Sequence, residues 1–385
     1  MNPAIVIGAY NRPAALSRLL GSLRSADYAG YAPIPLVISI DHAAAHPEVA
    51  RLAQDFAWPY GPKQILPRAE HHGPLGHFYA CGGLSAEYGA IVYLEDDLFV
   101  SPAFYAFAAQ SLAFYAADPC IAGISLYGLW FNGYTRQPFL PLDDGGDAFF
   151  IQIPYTQGIA WSGAQWQAYA AWRSSMHGSV YCPAPLHEAW SHFKPDEWFP
   201  EYTRYLVSTG KFFAFPRVSL TTGFGDAGTH FAESTRFFQA PLQGAPKEYT
   251  LRSLAETEAV YDSFFEILPE RLDRLTDLFR GREVTIDLYA SRTARNIPTP
   301  YVVTTRPAYK AIATFGLDMQ PHEANLVYAV PGDEIVFTRT EDLRWDRRAA
   351  LEVFRRNGLY FARGQRPGIR EAVRLWIAQR LKRYM

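Results

Sequence analysis

Three consecutive carboxylates, Glu95, Asp96 and Asp97, directly follow an apolar run at residues 91–94. Adjacent negative charges repel each other, and the end of a strand offers no reason of stability to collect them. A divalent cation relieves this repulsion, and a ligand set of oxygens alone favours a hard ion such as Mg²⁺ or Mn²⁺. Such an ion would neutralise a diphosphate and help it to leave. The alternative is a solvated acidic turn, but the strand before the triplet and the helix start after it favour a metal site.

Asp41 lies in a similar position, because it follows the apolar run at residues 35–40. We therefore expect Asp41 and the acidic triplet at the carboxyl ends of two buried strands. In open, mostly parallel sheets, ligands bind beyond the carboxyl ends of the strands. This shared position is the first indication of a ligand-binding site.

The first third of the chain alternates short apolar runs with segments that have the apolar spacing of a helix. Strands are predicted at residues 3–9, 35–40, 63–66, 90–94 and 121–126. Helices are predicted at residues 13–25, 47–56, 75–88 and 101–116. Buried strands that alternate with helices predict an α/β fold with a mostly parallel sheet covered on both faces.

The remainder of the chain is less regular. A loop at residues 128–147 is rich in Gly, Pro and aromatic residues, and loops of this length are usually functional or mobile. Beyond residue 250 we predict a helix at 251–279, strands at 284–290 and 301–305, a hairpin at 325–339 and a basic helix at 368–385. These patterns divide the chain into a domain at 1–250, with halves 1–100 and 101–250, and a smaller α+β region at 251–385.

The basic helix at 368–385 has two interpretations. Its positive charges are Arg370, Arg374, Arg380, Lys382 and Arg383. In the first interpretation the helix lies on an anionic membrane surface as a peripheral contact, where each Lys or Arg contributes about 1 kcal/mol to binding. Alternatively it is a solvated amphipathic helix that packs its apolar side on the domain, and we favour this second interpretation slightly.

Composition narrows the classes of protein to consider. The net charge of −2 gives no general attraction to nucleic acid, so we expect no nucleic-acid partner. The 24 Tyr, 26 Phe and 9 Trp suit carbohydrate recognition, although core packing must account for most of them. Three separated cysteines predict no disulfide framework. No apolar run reaches the roughly 20 residues of a membrane span, and the first residues resemble a strand more than a signal peptide. We therefore expect a cytoplasmic protein.

Two stretches resemble known glycosyltransferases. Residues 5–13, Ile-Val-Ile-Gly-Ala-Tyr-Asn-Arg-Pro, resemble the first strand and turn of the GT-A fold. Residues 93–104, which contain the acidic triplet, are similar to the metal-site strand of N-acetylglucosaminyltransferase I and its relatives, where Glu-Asp-Asp replaces the more common Asp-x-Asp. The resemblance extends discontinuously from about residue 5 to 230. Residues 315–325 also resemble the tails of bacterial surface-polysaccharide glycosyltransferases. The resemblance implies a GT-A (Rossmann-like) α/β fold at residues 1–250, with the nucleotide-sugar half at 1–100 and the acceptor half at 101–250.

The resemblance implies donor-binding positions in the turn after the first strand and in the triplet. The matching turn residues are Ala9, Asn11 and Arg12. Arg12 would meet phosphate or base, and its alternative is a solvated arginine at a helix start. We expect Asp97 to contact the metal directly, and Glu95 and Asp96 to orient the ribose and the sugar.

Two further positions are implied near the nucleotide. Asp41 matches the position where the family holds uracil or ribose, and a carboxylate can accept hydrogen bonds from both. Its alternative is a helix N-cap for the segment that begins near His46. His77 matches a family histidine on the helix before the metal-site strand, and its alternative is a structural histidine.

The catalytic base is implied by the acidic-acidic-Trp segment at residues 195–198. An inverting transfer needs a carboxylate that takes the proton of the acceptor hydroxyl. Asp196 matches the base and Glu197 is the alternative, while both also suit the N-terminus of a helix. Residues 224–228 match the family's Phe-Gly-x-x-Gly segment. His230 follows, where a loop could close on the diphosphate or supply a further metal ligand.

Together these features predict a metal-dependent, inverting glycosyltransferase. It would move a sugar from a nucleotide donor, most simply UDP-linked, to a glycan or lipid-linked acceptor in surface polysaccharide synthesis. A sugar-phosphate nucleotidyltransferase is the next candidate, but residues 9–13 lack its Gly-rich, basic signature. A non-catalytic glycan-binding relative is the third, but the triplet and the base candidates are both present.

Overall fold

The computed structural model describes residues 2–176, 186–194, 197–226 and 236–358, together with 370, 373 and 377. The chain divides into two units. The first comprises Met1–Leu129, Gly145–Ala184 and Trp190–Thr257, and the second comprises Trp130–Asp144, Pro185–Ala189 and Glu258–Met385. The sequence predicts a single boundary near residue 250, whereas the second unit also contains two segments from earlier in the chain.

The first unit is built on a large sheet. Its strands are β1 (Ala4–Ala9), β2 (Leu36–Ile40), β3 (Lys63–Pro67), β4 (Ala90–Glu95), β5 (Leu98–Val100), β6 (Ile121–Ser125), β7 (Ala148–Ile151), β8 (Ile159–Ser162), β9 (Phe212–Pro216) and β10 (Thr221–Gly223). Eight of them lie in one sheet in the order β7-β9-β6-β8-β4-β1-β2-β3, while β5 and β10 form a separate antiparallel pair.

The strand directions make this sheet mostly parallel. β1 is parallel to β2 and β4, β2 to β3, and β6 to β9. β8 is antiparallel to both β4 and β6, and β7 is antiparallel to β9. Six of these eight strands therefore run in one direction. β1, β2 and β4 are almost wholly buried, as expected for strands that are covered on both faces.

Helices flank the sheet. They are α1 (Pro13–Arg24), α2 (Pro47–Asp55), α3 (Gly73–Gly82), α4 (Ser85–Tyr88), α5 (Phe104–Phe114), α6 (Gly163–Ser175) and α7 (Trp198–Thr209). α1 buries the leucines that predict it, namely Leu16, Leu19, Leu20 and Leu23. The predicted α/β class, with a mostly parallel sheet flanked by helices, is confirmed, and it is consistent with a GT-A-like fold.

One predicted helix of the first unit is wrong in detail. The segment 75–88 is not continuous but consists of α3 and α4, which are separated after Gly82. A Cβ at Gly82 would lie 2.1 Å from the ring of Trp166, so only glycine allows this close approach to α6. The sequence pattern does not reveal this contact, because Trp166 is far away in the chain.

The second unit contains a smaller sheet. The strands of the unit are β11 (Val260–Tyr261), β12 (Val284–Asp287), β13 (Tyr301–Thr304), β14 (Ala313–Phe315) and β15 (Ile335–Arg339), and the helices of the unit are α8 (Pro269–Leu272), α9 (Ala324–Val327) and α10 (Arg347–Gly358). Four strands form a sheet in the order β12-β13-β15-β14. β12 and β13 are parallel, and the other two pairs are antiparallel. The predicted α+β character of this region is confirmed.

Two predictions for the second unit are wrong. The segment 251–279 is not a long helix, because the Asp262 side chain accepts the backbone N–H groups of Phe264 and Glu266 and closes a turn. The segment 325–339 is not a hairpin, because its first residues form α9 and β15 pairs instead with β13 and β14. The buried Asn325 side chain bonds the backbone of Met319 and stabilises this irregular segment.

Most of the predicted basic helix at 368–385 lies outside the described residues, and Arg370, Val373 and Ile377 within it are helical. No helix in the described part of the chain is long and apolar enough to cross a bilayer. Cys81 and Cys120 are free thiols, and Cys182 lies outside the described residues.

Candidate active site

The carboxyl ends of β1, β2 and β4 bring the predicted carboxylates to one edge of the sheet. The strand register pairs Ala9 with Ile40 and Gly8 with Glu95. Asp41 follows directly, and its N–H donates to the Ala9 carbonyl at 2.9 Å. A Cβ at Gly8 would lie 2.7 Å from the Tyr93 hydroxyl, so glycine is required where β1 passes β4. The site edge that the sequence predicts is therefore formed by adjacent strands.

Arg12 joins two carboxylates of the triplet. Its guanidinium contacts Asp96 at 2.5 Å and Asp97 at 2.8 Å, and the Tyr10 N–H donates to the second oxygen of Asp96 at 3.2 Å. Burial alone would lower the pKa of Arg12, but Asp96 and Asp97 raise it above the usual range. Arg12 stands at the start of α1, so it ties the first turn of the chain to the end of β4. The sequence identifies Arg12 as a ligand candidate but not as the partner of the triplet.

Burial disfavours the charged forms of two carboxylates of the triplet, Glu95 and Asp96. Burial raises the pKa of Glu95 to about 8, and Asp97 adds to this effect while Arg12 opposes it. Burial also raises the pKa of Asp96, to about 6, against the effect of Arg12. Burial therefore disfavours the charged form of Glu95, whereas the partly exposed Asp97 faces Arg12. The positive charge of Arg12 reduces the repulsion predicted from the sequence.

The carboxylates of the triplet determine which kind of metal ion the site could hold. Within the described ranges no three His, Cys, Asp or Glu side chains are grouped to hold an ion by themselves. Asp96 is buried and directs both oxygens at Arg12 and the Tyr10 N–H, while Asp97 retains exposed surface. Such a set fits an ion of the Mg²⁺ kind, which takes one or two carboxylates and completes its shell with substrate phosphates and water. Asp97 as the ligand stays a prediction.

Asp41 is buried and fully engaged with the turn that precedes α3. Its two oxygens accept the N–H groups of His72 at 2.8 Å and Gly73 at 3.1 Å. The imidazole of His71 lies 2.8 Å from the same carboxylate. Asp41 therefore stabilises the start of α3, rather than the segment near His46 that the capping alternative names. Its role toward ribose or uracil stays a prediction.

His77 lies buried on α3 below the same edge. Its Nε2 is hydrogen-bonded to the Ser39 hydroxyl at 2.8 Å, and Arg68 Nε donates to that hydroxyl at 3.2 Å. Burial lowers the pKa of His77 to about 4, so the ring is neutral at pH 7. This histidine holds α3 to β2, and its contact with a nucleotide stays a prediction.

A cluster of one tyrosine and two histidines, which the sequence does not predict, lies at the same edge of the sheet. Tyr10 stacks on His71 with centroids 4.9 Å apart and meets the edge of His46 at 4.6 Å. His71 is half exposed. The signal available in the sequence was that His46 and His71 follow the second and third predicted strands, which are neighbours in the sheet, with the second strand beside the first.

The segment of the predicted base lies against the triplet. Trp198, the first residue of α7, stacks on Phe78 with centroids 4.2 Å apart and planes at 3°, and its side chain lowers the pKa of Glu95. Glu197 precedes it at the N-cap but makes no side-chain capping bond to the helix. Instead its carboxylate accepts the Lys194 N–H at 3.3 Å. Asp196 lies outside the described residues.

The glycine-rich segment starts beside the triplet. β10 pairs with β5 so that Gly223 lies opposite Leu98, the residue after Asp97. Phe224 then lies under the guanidinium of Arg18 at 4.4 Å, and Arg18 forms an ion pair with Asp226. Residues 227–229 and His230 lie outside the described residues. The structure therefore brings the start of this segment to the site.

No family model and no curated protein matches the chain. Solved structures of S. aureus TarS are similar to it. The full TarS structure has 14% identity over 32% of this chain and 21% of its own, with a TM-score of 0.25. TarS 1–349 has 11% identity over 57% of this chain and 60% of its own, with a TM-score of 0.37, and its complex with UDP has the same identity and coverage at 0.36. The chain thus spans less than two thirds of these proteins, and the fold assignment rests on the strand order and directions above.

Proposed function

We propose that this chain is a metal-dependent, inverting glycosyltransferase that uses a nucleotide-sugar donor, specifically a UDP-sugar. The observation that carries the proposal is the stacking of Trp198 on Phe78, with centroids 4.2 Å apart, which packs the acidic start of α7 against α3. Trp198 also lowers the pKa of Glu95, so the segment of the predicted base lies near the predicted diphosphate site. An inverting transfer needs both groups at the same bound sugar, with the base and the leaving diphosphate on opposite faces of its anomeric carbon.

The donor half of the proposal is supported by the edge formed by β1, β2 and β4. Tyr10 and His71 form a stacked aromatic pair beside Asp41, which suits a planar base. The triplet and Arg12 lie next along the same edge. A nucleobase that stacks on the Tyr10–His71 pair would direct its diphosphate toward the triplet and Arg12. A bound Mn²⁺ or Mg²⁺ would supply Lewis-acid stabilisation of the departing diphosphate, with Asp97 as its protein ligand.

The acceptor half is supported by the acidic start of α7. Glu197, or its neighbour Asp196, takes the proton of the acceptor hydroxyl as the hydroxyl oxygen attacks the anomeric carbon. The bond from the anomeric carbon to the diphosphate breaks on the opposite face, and its electron pair leaves with the diphosphate. The sugar is thus transferred with inversion. The acceptor proposed from sequence is a glycan or a lipid-linked glycan of surface polysaccharide synthesis.

A thermal-shift screen tests the proposal. UDP, UDP-glucose, UDP-galactose and UDP-N-acetylglucosamine are added with and without Mn²⁺. A ligand at a hundred times its dissociation constant stabilises the folded state by about 2.7 kcal/mol. We expect stabilisation that is larger with Mn²⁺, and no response to any of the four ligands contradicts the proposal.

The variant Asp97→Asn tests the metal assignment in the same screen. We expect it to lose the additional stabilisation by Mn²⁺, while Asp55→Asn, which alters an exposed carboxylate at the end of α2, keeps it. If Asp97→Asn retains manganese-dependent binding and hydrolysis of UDP-sugars, the metal assignment is wrong.

A further inference from the structure

An exposed aromatic ring lies next to the predicted catalytic base. Phe193 stacks on Trp190 with centroids 5.4 Å apart and planes at 24°, and it meets Phe199 at 5.8 Å. Trp190 and Phe199 are themselves 5.0 Å apart. Trp190 is buried, whereas 38% of Phe193 is exposed. We call Trp190, Phe193 and Phe199 the aromatic platform: one exposed ring that rests on two supporting rings.

Hydrogen bonds and ring contacts of the residues after Phe193 connect the aromatic platform to the predicted base. After Phe193, the Lys194 N–H donates to the Glu197 carboxylate at 3.3 Å, and the Glu197 N–H donates to the Lys194 carbonyl at 3.2 Å. Trp198 follows and stacks on Phe78 of α3, with centroids 4.2 Å apart. Phe199 is the next residue and contacts the ring of Phe193. The exposed ring therefore lies close in the chain to the base candidate Glu197 and to the residue that packs this segment on α3.

The size and chemistry of the platform fit a single sugar ring. A stable protein interface buries about 800 Å² on each partner, which is far more than one exposed ring provides. A membrane-surface site combines an apolar face with many cations, whereas here the exposed Lys194 donates its backbone N–H to the carboxylate of Glu197. An aromatic face packs well against the C–H face of a pyranose, and nearby polar groups then orient its hydroxyls.

We infer that Phe193, supported by Trp190 and Phe199, is the stacking surface for a sugar ring of a saccharide acceptor. This inference rests on the proposed function and names its acceptor class. The stacked ring presents a hydroxyl to Glu197, which takes the proton. The hydroxyl oxygen then forms the new bond to the anomeric carbon, while the bond to the nucleoside diphosphate breaks and its electron pair leaves with the diphosphate.

Saturation-transfer NMR tests the inference on the whole chain with UDP present. The probes are methyl β-D-glucopyranoside, methyl β-D-galactopyranoside, methyl N-acetyl-β-D-glucosaminide and maltose. We expect the ring C–H protons of at least one probe to receive saturation. Phe193→Ala should raise the dissociation constant of that probe about tenfold, whereas Phe193→Tyr, which keeps the ring, should retain binding.

The matched control is Phe114→Ala, which removes a ring that is 50% exposed near the end of α5. It should bind the probes as the wild type does. UDP affinity, measured by calorimetry, should be unchanged in all three variants, because the platform contacts the acceptor and not the nucleotide.

The outcomes separate this inference from the proposed function. If the wild type binds UDP but no probe, or if Phe193→Ala binds the probes normally, the platform is not an acceptor site. If Phe193→Ala loses UDP affinity as well, Phe193 serves the fold of the segment and the inference is wrong. If the wild type binds no nucleotide at all, the proposed function fails and the acceptor assignment fails with it.

Discussion

The indole of Trp198 stacks on the ring of Phe78 in α3, with centroids 4.2 Å apart, although the two residues are separated by more than a hundred positions in the chain. The same indole lowers the pKa of Glu95 as a hydrogen-bond donor. One residue therefore fixes the start of α7 both to the end of β4 and to the helix beside it. Because Glu197 immediately precedes Trp198, this contact also determines where that carboxylate lies relative to the triplet.

Trp198→Phe should reduce activity more than stability. Phenylalanine keeps an aromatic ring on Phe78 but cannot donate to Glu95. Because this hydrogen bond lowers the pKa of Glu95, its loss raises that pKa further above 8. We expect UDP-sugar hydrolysis to fall at least about tenfold, which corresponds to about 1.4 kcal/mol in the barrier.

Trp58→Phe is the matched control for this substitution, because the Trp58 indole donates to the Ile34 carbonyl at 2.8 Å in the same unit. Each variant should lose about 1 kcal/mol of unfolding free energy in urea. Only Trp198→Phe should lose activity, and equal hydrolysis rates in the two variants would show that the contact with Glu95 has no functional role.

Arg12→Ala should destabilise the first unit through Asp96. Among the residues that the structure describes, the substitution leaves the buried carboxylate with the Tyr10 N–H as its one hydrogen-bond partner. We expect a loss of about 1–3 kcal/mol in unfolding free energy at pH 7. Since Arg12 opposes the rise in the pKa of Asp96, its removal raises that pKa further, and the loss should become smaller as the pH falls.

A double-mutant cycle with Asp96→Asn measures this coupling. The double variant should lose less than the sum of the single variants, with a coupling energy of about 0.5–3 kcal/mol. The exposed pair Arg348 and Glu352 on α10 is the comparison, and its coupling should be much smaller because solvent screens it. Additive losses for Arg12 and Asp96 would contradict the role assigned to their ion pair.

The sequence predicts the sheet edge well because its signals are local. Apolar runs that end in Asp41 and in the triplet identify two strand ends, and a parallel sheet places such ends together. The partners of these carboxylates are not local: Arg12 reaches the triplet and Trp198 reaches Glu95 across the fold. No spacing rule reports contacts of this kind. They depend on how distant elements pack.

The errors in the second unit have the same origin. The charged segment 251–279 has helical spacing, but a turn around Asp262 is more stable than a helix there because its side chain bonds two backbone N–H groups. The buried Asn325 similarly fixes an irregular segment where a hairpin was predicted. In both places a side-chain to backbone bond replaces regular structure, and periodicity does not detect it.

His77 should make stability depend on pH in the acid range. Burial lowers its pKa from 6.5 to about 4 in the folded protein. Between these values the unfolded chain binds a proton that the folded protein does not, so this contribution is complete above pH 6.5 and is lost as the pH falls to 4. The full loss is about 3 kcal/mol.

The difference between wild type and His77→Gln isolates this contribution, because Glu95, Asp96 and His322 titrate in both proteins. Urea unfolding is measured at intervals from pH 7 to pH 4. The free energies of the two proteins should converge by about 3 kcal/mol across this range. Parallel curves would show that His77 does not resist protonation in the folded state.

The base candidates can be separated by their effect on turnover and on binding. A general base contributes about 10²–10⁴-fold to the rate, and it acts on the acceptor hydroxyl, not on the nucleotide. We expect either Glu197→Gln or Asp196→Asn to lower kcat for UDP-sugar hydrolysis at least about a hundredfold while UDP affinity stays within about twofold. Glu248→Gln, at an exposed carboxylate of the same unit, is the control and should keep full activity. A fall in UDP affinity together with kcat would place the altered carboxylate in the donor site, and full turnover in both variants would place the base outside residues 195–198.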